Sequence, residues 1–111
     1  MLGAPGAQIE RYLDLLSARQ KLVASNIANV DTPGYQTQDI DFQTEFQKSM
    51  AGPPTVVGVE GLVTKNDGNN VSLDRESRLL AENALRFQMA ESLLKGQIGQ
   101  LRSAINEGKS S

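Results

Sequence analysis

Apolar residues recur near the start of the chain at Ile9, Leu13, Leu16, Val23, Ile27 and Val30. The gaps alternate four and three, with polar Gln20 filling the one vacant position. This spacing predicts an amphipathic helix with a heptad seam, about 22 residues and about 33 Å long. Tyr12, Leu15 and Leu22 widen the stripe, and Met1 to Ala7, with Pro5 and Gly6, is expected to fray. A second seam runs Leu73, Ser77, Leu80, Ala84, Phe87, Glu91, Leu94, Ile98, Leu101 and Ile105. Ser72 is a good N-cap for that helix, and Asp74 and Glu76 lie in its first turn, where the helix dipole favours acids. It is expected to end near Asn106 to Gly108, with Gly108 as C-cap, after about 34 residues and about 51 Å. Asp74–Arg78, Glu82–Arg86 and Glu91–Lys95 place acid before base at i,i+4 on a solvated face, each pair adding about 0.2–0.5 kcal/mol.

The stretch between the seams has no such period. Gln36 to Asp41 is polar, and Phe42 and Phe46, four apart, would stack on one helical face. Gly52, Pro53 and Pro54 break the Ala51 to Thr55 stretch. Val56, Val57 and Val59, then Leu62, Val63 and Thr64, form two short β-prone runs before the turn at Asn66 to Asn69. The middle, 36–71, therefore reads as a mostly irregular loop, with a short β-hairpin as the alternative. The fold class is all-α. A helix and turn over 1–35 and a helix over 72–111 pack as a coiled-coil-like hairpin in one structural unit. Leu15, Leu22, Leu79, Met89 and Leu93 lie off the seams and are expected to stay exposed, and such surface calls for further partners. Ser92, Gly96, Gly99 and Ser103 share one face at spacings of four, three and four. Interior glycines cost a helix about 1 kcal/mol each relative to Ala. The stripe is read as a close contact with another helix, against a local hinge or simple tolerance.

Composition narrows the chemistry. The 111 residues carry 5% aromatics and no Trp, thin material for a compact core. A net charge of −2 gives no electrostatic footprint for nucleic acid. With no Cys and no His, disulfides, thiol chemistry, the commonest general base and the commonest transition-metal ligands are all missing. The carboxylates are helix-face charges or turn residues, and no Gly-rich phosphate loop or metal spacing occurs. An enzyme is not expected; catalytic residues, cofactor and metal are all read as none. The first residues lack a basic start followed by a long apolar run, so no cleavable secretory signal is expected, and no stretch is long enough to span a membrane.

The stretch linking the first helix to the middle carries the most information. Ser25, Asn26, Ile27, Ala28, Asn29, Val30 and Asp31 bring the seam to an end, and Thr32-Pro33-Gly34-Tyr35 follows. Pro33 has no N–H and forces Thr32 out of the α region, which stops the helix. Pro33 and Gly34 suit the second and third positions of a type II turn. The short polar side chains of Asn26, Asn29 and Asp31 can bond to nearby backbone. Beyond this local reading, SNIANVDTPGY closely resembles the N-terminal motif of the bacterial flagellar basal-body rod and hook proteins. DTPGY followed by Asp39-Ile40-Asp41-Phe42 is most similar to the proximal-rod members, and Asp67 to Gln88, DGNNVSLDRESRLLAENALRFQ, resembles the start of their C-terminal helix.

The resemblance implies a structural subunit of the proximal rod, part of the shaft that carries torque from the membrane ring to the hook and filament. It implies self-association and contact with other rod proteins, the membrane ring and the rod-to-ring adapter. It also implies export by the flagellar type III apparatus without a cleaved signal, and assembly in the periplasm. Ser25 to Tyr35 would then serve assembly. Leu13, Leu16, Val23 and Ile27, with Leu80, Phe87, Leu94, Ile98 and Leu101, would form the helix seams. Phe42-x-x-x-Phe46 is similar to an aromatic-x-x-x-hydrophobic export signal, with ordinary packing as the competing reading. A helical adaptor or secretion chaperone is the alternative function; it would have no need of the signature stretch.

Overall fold

The computed structural model describes residues 4–48 and 52–110. Met1 to Gly3, at the start of the segment expected to fray, and Ala51, in the expected break, lie outside the described residues. Two long helices dominate. α1 spans Ala4–Ala28 and α3 spans Leu73–Ser110. Between them come β1 (Gln38–Ile40), α2 (Phe42–Lys48) and β2 (Val56–Gly58). α1 and α3 pack together as the helical hairpin that the two seams predict. The molecule is a rod of 72 × 24 × 18 Å.

α1 starts earlier than its apolar pattern does. Pro5 sits in the first turn, where a missing N–H costs nothing. At the other end, Asn29 N–H donates to the carbonyls of Ser25 and Asn26, and Val30 N–H to that of Ile27. The last turn therefore tightens before Pro33 stops it. Tyr35 N–H then donates to Thr32 O at 3.2 Å, and Gly34 has φ +76°, as a type II turn requires. Ser72 caps α3: Arg75 N–H donates to its Oγ at 3.2 Å and Glu76 N–H to its carbonyl at 3.0 Å. α3 does not stop at Gly108, which is helical rather than a cap, because the helix runs on to Ser110.

The middle is more ordered than its composition suggests. β1 and β2 pair antiparallel, Gln38 opposite Gly58 and Ile40 opposite Val56, so the pair closes around α2 and the proline break. The partner of the valine run is thus the polar segment upstream, and Leu62 to Thr64 forms no strand. This unit lies on one face of α1. Arg11 donates to Gly52 O, Tyr12 packs on Phe42 and Phe46, Arg19 grips Asp39, and Asn26 bonds Gln38. Leu15 sits three and four residues along from Tyr12 and Arg11, on that same face. It is fully buried, where the seam pattern leaves it exposed, because the middle folds back over it. Leu22 and Leu79 are half-buried, while Met89 and Leu93 are exposed as expected.

The two seams do not face each other in the expected way. On α1, Leu16 and Val23 are buried and Leu13 and Ile27 half-buried. On α3 the buried residues are Glu76, Asn83 and Ala90, a line at heptad spacing. Each lies one position before Ser77, Ala84 and Glu91, so this line is about 100° round the helix from the apolar seam. Leu73, Leu80, Phe87, Leu101 and Ile105 are exposed, and Leu94 and Ile98 half-buried. The reason is chemical. Glu76 and Asn83 have bonding partners on α1, Asn26 and Gln20, and these fix which side of α3 turns inward.

Candidate assembly site

The signature residues converge at one end of the hairpin, where the last turn of α1 meets β1 and the first turn of α3. Asn26 is fully buried and uses its whole amide. Its Nδ2 donates to Gln38 O at 2.9 Å and to Glu76 Oε1 at 2.6 Å. Its Oδ1 accepts from Tyr35 OH at 2.9 Å and from Gln38 N–H at 3.1 Å. Asn26 thereby pairs with both backbone groups of Gln38, as a neighbouring strand would, and blocks the free edge of β1. Glu76, also fully buried, accepts from Arg75 Nη1 at 2.6 Å through its other oxygen. Arg75 Nη2 reaches on to Asp39, whose two oxygens are held from the other side by Arg19 Nε and Nη2 at 3.0 and 2.9 Å. Burial pushes the Asp39 carboxyl up, but the Arg19 bonds and charge, the Ile40 N–H and Arg75 outweigh it and hold it below the usual carboxylate value.

The turn itself is stitched to the loop before α3. Asn69 Nδ2 donates to Asn29 O at 2.8 Å and Thr32 O at 2.9 Å. Gly34 N–H donates to Asp67 O, Thr37 N–H to Asn70 Oδ1, and Lys65 Nζ to Val30 O. Gly68 approaches so closely that a Cβ there would meet Gly34 Cα at 3.4 Å, and its φ is +85°. Asn29 Nδ2 closes back on Ser25 O, and Thr32 Oγ1 donates to Asn29 Oδ1. The two stretches that carry the family resemblance, near 25–35 and 67–88, therefore bind each other. Asn26 points inward, Ser25, Ile27, Asn29 and Tyr35 are half-buried, and Ala28, Asp31, Thr32, Pro33 and Gly34 are exposed.

The remaining candidates lie elsewhere. Phe42 and Phe46 stack edge-on to Tyr12, ring centroids 5.1 and 5.6 Å away, so both engage in ordinary packing within this fold. Ser92, Gly96, Gly99 and Ser103 are exposed, and a Cβ on Gly96 or Gly99 would meet nothing within 4 Å. Asn26 opposite Glu76 and Tyr12 opposite Arg86 set the pairing of the helices. At that offset α1 runs out near residue 98 of α3, and Gly99 to Gly108 are all exposed. Beside this overhang lies an apolar groove of about 750 Å³ lined by Ile9, Tyr12, Phe46, Leu85, Met89 and Leu93. Among the described residues no cluster of acidic side chains could hold a metal, and no helix is long and apolar enough to cross a membrane.

Pattern reading missed Arg19, Asp39, Arg75, Glu76, Asn69, Asn70 and Asn83. Glu76 lay hidden as an ordinary first-turn acid, and Arg75 beside it drew no reading. One signal was available: Glu76, Asn83 and Ala90 repeat at heptad spacing beside the apolar seam.

Comparison with known proteins bears on the family. The family model described as "Flagella basal body rod protein" matches residues 13–36, the half of α1 and the turn that enter the polar clamp. The chain is 34% identical to the flagellar basal body rod protein FlgB of Escherichia coli (strain K12), over 89% of this chain and 91% of that one. The same figures hold for FlgB of Salmonella typhimurium. FlgB of Borrelia hermsii is 30% identical over 71% of this chain and 78% of its own length. With its signature turn, its paired terminal helices and relatives matched almost end to end, this chain belongs to the FlgB family of flagellar basal-body rod proteins.

Proposed function

We propose that the chain is a structural subunit of the proximal flagellar rod, one piece of the torque-transmitting shaft, and that α3 supplies its main contact surface. Family membership supports the rod. The observation that carries the contact surface is the apolar seam of α3, left open by the hairpin and continued on an overhang that stays exposed among the described residues. From Leu85 onward large apolar side chains face outward on several sides of α3, as on a helix destined for burial. The neighbours are other copies and other rod proteins, with the membrane ring and rod-to-ring adapter at the base of the shaft. The chain reaches its periplasmic position through the flagellar type III apparatus. The signature residues Ser25 to Tyr35 act in assembly by fixing the shape of the subunit; the exposed stripe Ser92, Gly96, Gly99 and Ser103 is a close-approach line that runs onto the overhang.

The test is Leu80→Glu with Leu101→Glu. These side chains are 41% and 49% exposed, so the monomer should keep its helicity by circular dichroism. Motility should fail, and purified basal bodies should lack the subunit. Normal swimming with both charges in place would rule out the seam. Wild-type chain found soluble with a bound client, and absent from purified basal bodies, would favour the chaperone reading.

A further inference from the structure

We propose that Asp39 is a two-arginine latch through which closure of the α1–α3 hairpin orders the middle segment and holds the Phe42/Phe46 pair against Tyr12. The latch draws on three elements. Asp39 belongs to β1, Arg19 to α1 and Arg75 to α3, and the Asp39 side chain is 7% exposed between the two guanidiniums. Asn26 of α1 repeats the arrangement beside it, bonding the β1 backbone and Glu76 of α3 through one amide nitrogen. So each anchor of β1 on α1 is completed by a group that only the closed hairpin delivers.

The middle has little to hold it alone. A two-stranded pair of three residues a side is not independently stable in water, and a seven-residue helix is far below the length that persists in isolation. Among the described residues of β1, α2 and β2, Ile40 is the buried aliphatic one, and the aromatic pair takes its cover from α1, from Tyr12 and from the Arg19 guanidinium over Phe42. The dependence runs one way. The hairpin has contacts of its own in Leu16, Val23 and Ala90, and α3 reaches β1 mainly through side-chain tips. A chain with an open hairpin would therefore present Phe42 and Phe46 as an extended, solvent-facing segment, and a closed chain holds them half-buried against Tyr12.

Hydrogen exchange on the full chain, followed by segment, tests this. Asp39→Asn keeps the size of the side chain and leaves the Arg75–Glu76 and Asn26–Glu76 bonds in place. It should lower protection in residues 38–48 and 55–58 at least tenfold while α1 and residues 73–94 keep theirs. Leu16→Asp, which opens the hairpin on the face away from the middle, should abolish protection in both. Three results would each overturn the latch: a protected middle in Asp39→Asn, helices that lose protection in step with the middle in Asp39→Asn, or a protected middle in Leu16→Asp.

Discussion

Replacing Asn26 by Ala removes the amide on which α1, β1 and α3 converge. Its bond to Glu76 goes to a buried carboxylate. Losing a hydrogen bond to a charged group costs about 1.5–3 kcal/mol, and stranding a buried partner about 1–3 kcal/mol. Glu76 keeps Arg75 and the Gln38 groups gain access to water, so the total should fall near 3–4 kcal/mol. Urea unfolding followed by circular dichroism at 222 nm reads this directly. With a slope of about 1–3 kcal/mol per molar, the midpoint should drop by about 2 M. Asn26→Asp should be worse, because it sets a carboxylate within 2.6 Å of Glu76. Adding Glu76→Gln to that variant restores a donor opposite an acceptor and should recover much of the loss. A loss below about 1 kcal/mol in Asn26→Ala, typical of a surface site, would refute the clamp. So would a double variant no better than Asn26→Asp alone.

Asp39 titrates below its ordinary value in the fold, so its contribution is full above an unfolded pKa of about 3.9 and is lost as pH falls through the folded value; urea midpoints between pH 6 and pH 3 should fall more steeply for the wild type than for Asp39→Asn, and parallel curves would contradict the assignment. Gly96→Leu with Gly99→Leu should raise helicity of the isolated chain, since nothing lies within 4 Å of either Cβ position, while rod assembly and motility fail; normal assembly would leave the stripe as mere tolerance. Hydrogen exchange at low concentration should find residues 99–108 the least protected part of α3, and protection there equal to residues 76–90 would show an unexpected partner. Phe42→Ala with Phe46→Ala strips the rings from Tyr12 and should cost about 1–3 kcal/mol, so its effect on export must be compared with a variant of equal stability loss; equal export by the two would reject an export signal.

The helices were legible because they rest on local, periodic information. Four-and-three spacing, Pro33 after the last turn and Ser72 before the next helix need no knowledge of the fold. The Thr32–Tyr35 turn was legible for the same reason, since Pro33 and Gly34 allow few alternatives. Side-chain partners across long separations were not. Arg19 and Asp39, or Asn26 and Glu76, are ordinary polar residues until the topology brings them together. Strand β1 was hidden because it is three residues long and Asp39 at its centre is of a type depleted in strands; its pairing comes from the Asn26 amide on one edge and β2 on the other. The greatest departure concerns α3. Periodicity located its apolar seam but could not say whether α1 would cover it, and a polar line one residue away took that place.

That choice bears on how the subunit turns under load. Apolar ridges can slip past one another at small cost, because dispersion contacts have no direction. On hydrophobic area alone, α3 would rotate by about one residue and bury Leu80 and Phe87 against Leu16 and Val23. Glu76, keyed to Asn26 and Arg75, forbids that rotation, since the carboxylate would leave its donors. The buried polar residues act as a spline between two shafts. They give up some cohesion in the lone subunit, and in return a twist applied at the overhang is passed to α1 instead of being lost in slippage.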